Sequence, residues 1–140
     1  MGHTSFTSEG FRAFRDNDRA GPIHMLNLVK LRDHAEYEDG RSATGREAYA
    51  AYGEASGPVF RRVGGEIIWR GQPEVMLIGP SDKRWDLIFV ARYPTAAAFL
   101  EMVTDPDYQR AVAHRRAAIL DSRLIRTSEV GAGDGDGFAG

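Results

Sequence analysis

The chain has 140 residues, a formal net charge of -2 and no cysteine. That length suits one domain, large enough to bury a core without a disulfide or metal staple. The charge gives no general attraction to nucleic acid or anionic membranes, and the missing thiols exclude disulfides, thiolate nucleophiles, iron–sulfur clusters and the common zinc fingers.

The opening residues Met1-Gly-His-Thr-Ser-Phe carry no basic region followed by an apolar run, and no apolar run approaches the ~20 residues of a membrane span. The expectation is a cytoplasmic protein with no signal peptide and no membrane partner. Residues 8–18 suit a short helix, with Ser8 as cap and Phe11 and Phe14 three apart on one face. Gly21-Pro22 ends it, so residues 1–22 form an N-terminal helical extension.

Residues 23–32 read as a strand. Leu26 and Leu28 share one face; Met25, Val29 and Leu31 share the other, with Asn27 among them. Two apolar faces need two covers. Helices supply one, and a partner subunit is the economical source of the second. The polar stretch 33–44 reads as a loop. Residues 45–63 read as a helix whose stripe holds Tyr49, Tyr52, Val59, Phe60 and Val63; Pro58 inside it predicts a kink, and Gly64-Gly65 a stop.

Residues 66–70 and 74–79 are two strand-like runs interrupted by Gly71-Gln72-Pro73, predicting one bulged strand or a small hairpin. Residues 85–93 read as the next main strand, again apolar on both faces. Thr95 caps a helix through Val103. Asp105 caps another, with Pro106 in its first turn and Asp107 at the favourable end of the dipole. Residues 120–130 read as the last strand. Residues 131–140 are glycine-rich and read as a flexible tail.

The order is β-α-β-β-α-β. It predicts an α+β, ferredoxin-like domain over residues 23–130, with a four-stranded antiparallel sheet, helices on one face and an apolar face left over. Two such sheets face to face give a homodimer.

The segments Met25-Leu-Asn-Leu-Val-Lys30, Gly45-Arg-Glu-Ala-Tyr49, Val63-Gly-Gly65 with Trp69-Arg-Gly71, Trp85-Asp86 through Pro94, Asp105-Pro-Asp-Tyr-Gln109, His114-Arg-Arg116 and Asp121-Ser-Arg-Leu124 occur in characteristic order and spacing. In these the chain resembles Domain of Unknown Function 1330, a group of small proteins in the dimeric α+β barrel superfamily. The resemblance spans about residues 23–128. It implies a ferredoxin-like protomer and a dimer built through the sheets. It supplies no reaction: the superfamily is similar in fold to cofactor-free monooxygenases, chlorite dismutases, peroxidases, isomerases and stress-responsive proteins, and fold does not choose among them.

Candidate chemistry gathers late in the chain. Histidine as a residue type suits proton transfer near neutral pH, so His114 is the candidate general base, with two arginines beside it favouring the neutral form. Asp121 stands with it as a catalytic candidate, at the handover from helix to last strand. Arg123 and Arg115 are candidate clamps for a substrate carboxylate. Asn27, polar on an apolar face, needs hydrogen-bond partners and is a candidate orienting group with Tyr52. Trp69 is a candidate ligand contact, with core or interface anchoring as its plainer role. His3, His24, His34 and His114 lack metal-ligand spacing, and there is no P-loop or dinucleotide fingerprint, so neither metal nor cofactor is expected. Two functions follow. One is a cofactor-free enzyme using acid/base chemistry on a small anionic or aromatic molecule. The alternative is a non-catalytic dimeric module that binds a small molecule or serves in stress response or assembly.

Overall fold

The computed structural model describes residues 2–131. The predicted tail lies outside them, apart from Gly131. Eight elements follow in order: α1 (Ser8–Asp16), β1 (Ile23–Leu31), α2 (Gly45–Arg62), β2 (Glu66–Gly71), β3 (Leu87–Tyr93), α3 (Ala96–Thr104), α4 (Pro106–Ala118) and β4 (Ile119–Thr127). The strands form one antiparallel sheet in the order β2-β3-β1-β4. This is the ferredoxin-like α+β arrangement expected from the element order.

Local chemistry explains most boundaries. Thr7, rather than the expected Ser8, caps α1: its hydroxyl accepts from the Gly10 amide at 2.9 Å. Thr44 and Glu47 form a reciprocal capping box at the start of α2. That helix runs unbroken through Pro58. It closes at Gly64, whose φ of 88° only glycine adopts without strain, while Gly65 N–H reaches back to Phe60 O and Gly64 N–H to Arg61 O. The Thr95 and Asp105 caps stand where expected, accepting from Ala98 and Asp107.

The sheet has two unlike faces. Met25, Ala91 and Tyr93 pack under Val59 of α2 and Val63 just after it, Phe99 and Met102 of α3, and Tyr108 of α4. Val29, Leu31 and Ile119 pack under Ala48, Ala117 and Ala118. Each large side chain buried here contributes roughly 1.5–3 kcal/mol. Helix α1 adds a lid at one end of this layer, setting Phe14 5.0 Å from Phe99. The alternate positions Leu26, Leu28, Ile88 and Val90 point away from the helices and stay half-buried, and Ile125 on β4 is exposed.

Two expectations need correction. Residues 74–79 form no strand; they lie in the β2–β3 loop with Leu77 87% and Ile78 91% exposed. Pro73 has no amide hydrogen to donate, and the run stays unpaired although β2 and β4 are the edge strands of the sheet. The predicted bulge does occur, but inside β2, between Ile67 and Trp69. The third strand also starts later than expected, at Leu87. Before it, the Asp86 carboxylate accepts from the Leu31 amide at 2.7 Å and Asp86 N–H donates to Val29 O, which anchors the strand's entry.

Candidate functional site

A cavity of about 560 Å³ lies between the sheet edge at β4 and the N-terminal arm with α1. Residues 2–7 form the arm, and they close the cavity because three contacts fasten them. His3 N–H donates to Asp121 Oδ1 at 2.9 Å. The Ser122 hydroxyl donates to His3 O at 2.8 Å, and Arg115 Nη1 donates to Thr4 O at 2.7 Å. Gly2 runs so close to β4 that an added Cβ would sit 1.9 Å from Leu120 O. Phe6, Phe11, Phe14 and Phe99 give the cavity an apolar wall; Arg115, Ser122, Arg123 and Arg126 give it a polar one.

Period-two alternation builds the polar wall. In β4, Ser122, Leu124 and Arg126 lie opposite Val29, Asn27 and Met25 and so face the helices and α1. Asp121 and Arg123 alternate with them. The Asp121 carboxylate accepts from His3 N–H, from Ser122 N–H at 2.9 Å and from Arg123 Nη1 at 2.7 Å. Burial pushes its pKa up, but these three donors outweigh that and hold it below the usual carboxylate range. Arg123 also donates to Ser122 O at 2.8 Å and stacks 5.2 Å from the Trp85 ring.

Arg126 caps the end of α1. Its Nη1 donates to Phe14 O at 3.1 Å and, less closely, to Asn17 O, and its guanidinium lies 4.8 Å from the Phe14 ring. Its Nε and Nη2 are shut off from solvent and meet no acceptor. Burial, and then the nearby charge of Arg19, pull its pKa down. Among the described residues, Arg126, Arg115 and Arg19 form no salt bridge.

Arg115 also belongs to a second group. The Tyr52 and Tyr108 hydroxyls share a hydrogen bond at 2.8 Å, and the Tyr49 ring lies 5.6 Å from Tyr52. Burial pushes Tyr49 up to about 12 and Tyr52 well above its ordinary value; the Arg115 charge works in the opposite sense on both. The Tyr49 and Tyr52 hydroxyls are therefore neutral groups at ordinary pH. Asn27 is half-buried on the same sheet face and satisfies its amide locally, donating to Met25 O at 3.0 Å.

His114 stands apart from this constellation. Its Nδ1 and the Tyr37 hydroxyl share a hydrogen bond at 2.7 Å, with the rings edge to face. Arg41 lies 4.4 Å over the Tyr37 ring. His114 is not among the residues lining the cavity. Trp69 is remote too: it lies on edge strand β2, 55% exposed, with its ring over Gly71. The structure thus brings Arg115 and Arg123 to one cavity, with Asp121 fastening its arm. It sets Tyr52 and Asn27 in the helix–sheet layer and His114 and Trp69 elsewhere. Arg126 and the arm residues His3 and Thr4 are additions. The signal that could have found Arg126 is alternation, since it lies two steps from Leu124 and so on the same side of β4. The arm carried no such signal. Among the described residues, no group of three or more His, Asp or Glu is placed to hold a metal ion, and no helix is long and apolar enough to cross a membrane.

The model of the family described as Domain of unknown function (DUF1330) matches residues 41–127. No curated protein matches the chain. Among solved structures, a protein of unknown function from Rhodopseudomonas palustris, a structural genomics target, is 59% identical over 94% of this chain and 99% of its own, with a TM-score of 0.90. Its methylated form gives 0.93 at the same 59% identity, over 95% of this chain and 98% of its own. A dabb family protein with a ferredoxin-like fold from Mesorhizobium loti is 15% identical over 79% of this chain and 99% of its own, with a TM-score of 0.55. At that identity the likeness concerns the fold alone. A dimeric ferredoxin-like protein of unknown function from Bacteroides fragilis is 13% identical over 77% of this chain and 96% of its own, with a TM-score of 0.50. The matched residues, more than half of the chain, make it a member of the Domain of unknown function (DUF1330) family.

Proposed function

We propose that this chain is a cytoplasmic homodimer that binds a small anionic or aromatic molecule in the cavity beneath α1. The observation that carries this reading is the cavity's division into a phenylalanine wall and an arginine–serine wall. Its volume, about 560 Å³, suits a small organic ligand. Arg115 then faces the ligand's polar end, while Arg123, on the alternate side of β4, is held by Asp121. Asp121 works indirectly, by holding His3 and Arg123 in place. The homodimer reading rests on the unpartnered apolar face at Leu26, Leu28, Ile88 and Val90, with Trp69 at its edge. The Bacteroides fragilis neighbour described as dimeric agrees with it.

Cofactor-free acid/base catalysis is the second reading, favoured by the His114–Tyr37 hydrogen bond. In that reading His114 exchanges a proton through Tyr37. Thermal-shift screening against small aromatic and aliphatic acids, joined to light scattering, tests the first reading. A dimer stabilised by members of that set is expected. A monomer indifferent to all of them would overturn it.

A further inference from the structure

Building on the cavity reading above, we infer that its ligand is a monocarboxylate with an apolar or aromatic body, and that Arg126 supplies the carboxylate fork.

The cavity is over-supplied with positive charge. Of the three arginines in its wall, only Arg123 has a carboxylate partner, Asp121. Arg115 spends Nη1 on Thr4 O and makes only a long 3.4 Å contact from Nη2 to Ser122 Oγ. Arg126 spends Nη1 on the last carbonyls of α1. A cation at a helix C-terminus interacts well with the dipole, and that accounts for one nitrogen. It leaves Nε and Nη2, the two donors along one side of the guanidinium plane, with no acceptor in a place closed to water. Buried donors are almost always satisfied, so an open pair is informative. The spacing of these two N–H groups matches the two oxygens of a carboxylate. Arg19 adds a further positive charge close by.

The remaining wall limits the ligand's body. Phe6, Phe11, Phe14 and Phe99 offer faces and edges to a flat or aliphatic group, and Met25 and Leu124 complete the apolar lining. A highly charged or sugar-like molecule would leave polar groups unpaired there. The side chain of Arg126 already lines the cavity, and presenting the fork to a ligand requires its guanidinium to turn from the α1 carbonyls. The arm then acts as the cover, fastened at His3 and Thr4.

The experiment is calorimetric titration of the full chain with phenylacetate, octanoate and the neutral phenylacetamide. Saturable binding of the two acids is expected, with the amide weaker by about tenfold or more, since the fork cannot be matched by a neutral group. Arg126→Lys keeps a cation on the α1 carbonyls and removes the fork. It should weaken both acids by about tenfold and leave the amide unchanged. Arg115→Met, which leaves the α1 cap intact, should weaken the acids as well. If the amide binds as tightly as the acid, or Arg126→Lys leaves acid binding intact, the carboxylate assignment falls while the cavity reading stands. If neither acids nor amide bind, both fall.

Discussion

His114 Nδ1 and the Tyr37 hydroxyl meet at 2.7 Å across 77 positions of sequence, tying α4 to the long loop before α2. The bond fixes the imidazole in the fold, whatever its tautomer. Removing one partner should cost about 1 kcal/mol of stability. Tyr37→Phe and His114→Ala are therefore expected to lower the urea midpoint by similar amounts, with the double variant less than additive. Ligand affinity should stay unchanged in both. Loss of turnover or binding in His114→Ala, with stability unchanged, would instead support the acid/base reading.

Asp121 should make the arm pH-sensitive. Its carboxyl is held below its ordinary value in the fold. Such a group stabilises the folded state above its unfolded pKa of ~3.9, and the contribution disappears as pH falls through the folded value. Between pH 7 and 3, the wild-type chain should lose stability that Asp121→Asn does not lose. Urea titrations at the two pH values measure this. Protection of His3 and Thr4 from hydrogen exchange should fall over the same range.

The buried tyrosines set the opposite limit. Of five tyrosines, Tyr49, Tyr52 and Tyr93 have raised pKa values, with burial the leading cause in each. Their stabilising effect is full below the unfolded pKa of ~10 and is lost as pH rises toward the folded values. Ultraviolet titration should show these three ionising late, Tyr49 at about 12. Tyr52→Phe breaks the hydroxyl pair with Tyr108 and should cost about 1 kcal/mol.

The open sheet face gives a fourth test. Val90 lies on β3, with a strand on each side. Val90→Lys would place a charge in the centre of the proposed dimer contact, where an unpaired ion is strongly unfavourable. Light scattering is expected to show monomers, with far-ultraviolet circular dichroism retained. A variant that stays dimeric would move the contact elsewhere, with the exposed Val75–Ile78 run as the next surface to substitute.

The sequence was most informative where local chemistry decides. Thr95 and Asp105 could be read as caps because a short oxygen-bearing side chain before a helix has one main use. The alternation in residues 23–31 defined which side chains share a face. It was less reliable at residues 74–79, where apolar β-formers suggested a strand but the run does not join the sheet. Strand propensity describes fit to a sheet; the sheet itself must offer a partner.

The candidate site divides in the same way. Residue type and position could pick out Arg115, Asp121 and Arg123, but not Arg126, whose register on β4 came with the fold. Whether those groups meet depends on contacts between segments more than 100 positions apart: His3 with Asp121, Thr4 with Arg115, and Phe14 with Arg126. No periodicity encodes such contacts. The sequence by itself determined the element order, the Thr95 and Asp105 caps, the two-faced sheet and the family resemblance, because each depends on neighbours along the chain. Only the tertiary structure decided that the arm and α1 close a cavity over β4, that His114 pairs with Tyr37 instead, and that two Arg126 donors are left open. Burial and hydrogen-bond satisfaction are properties of packed surfaces, and those exist only once the chain has folded.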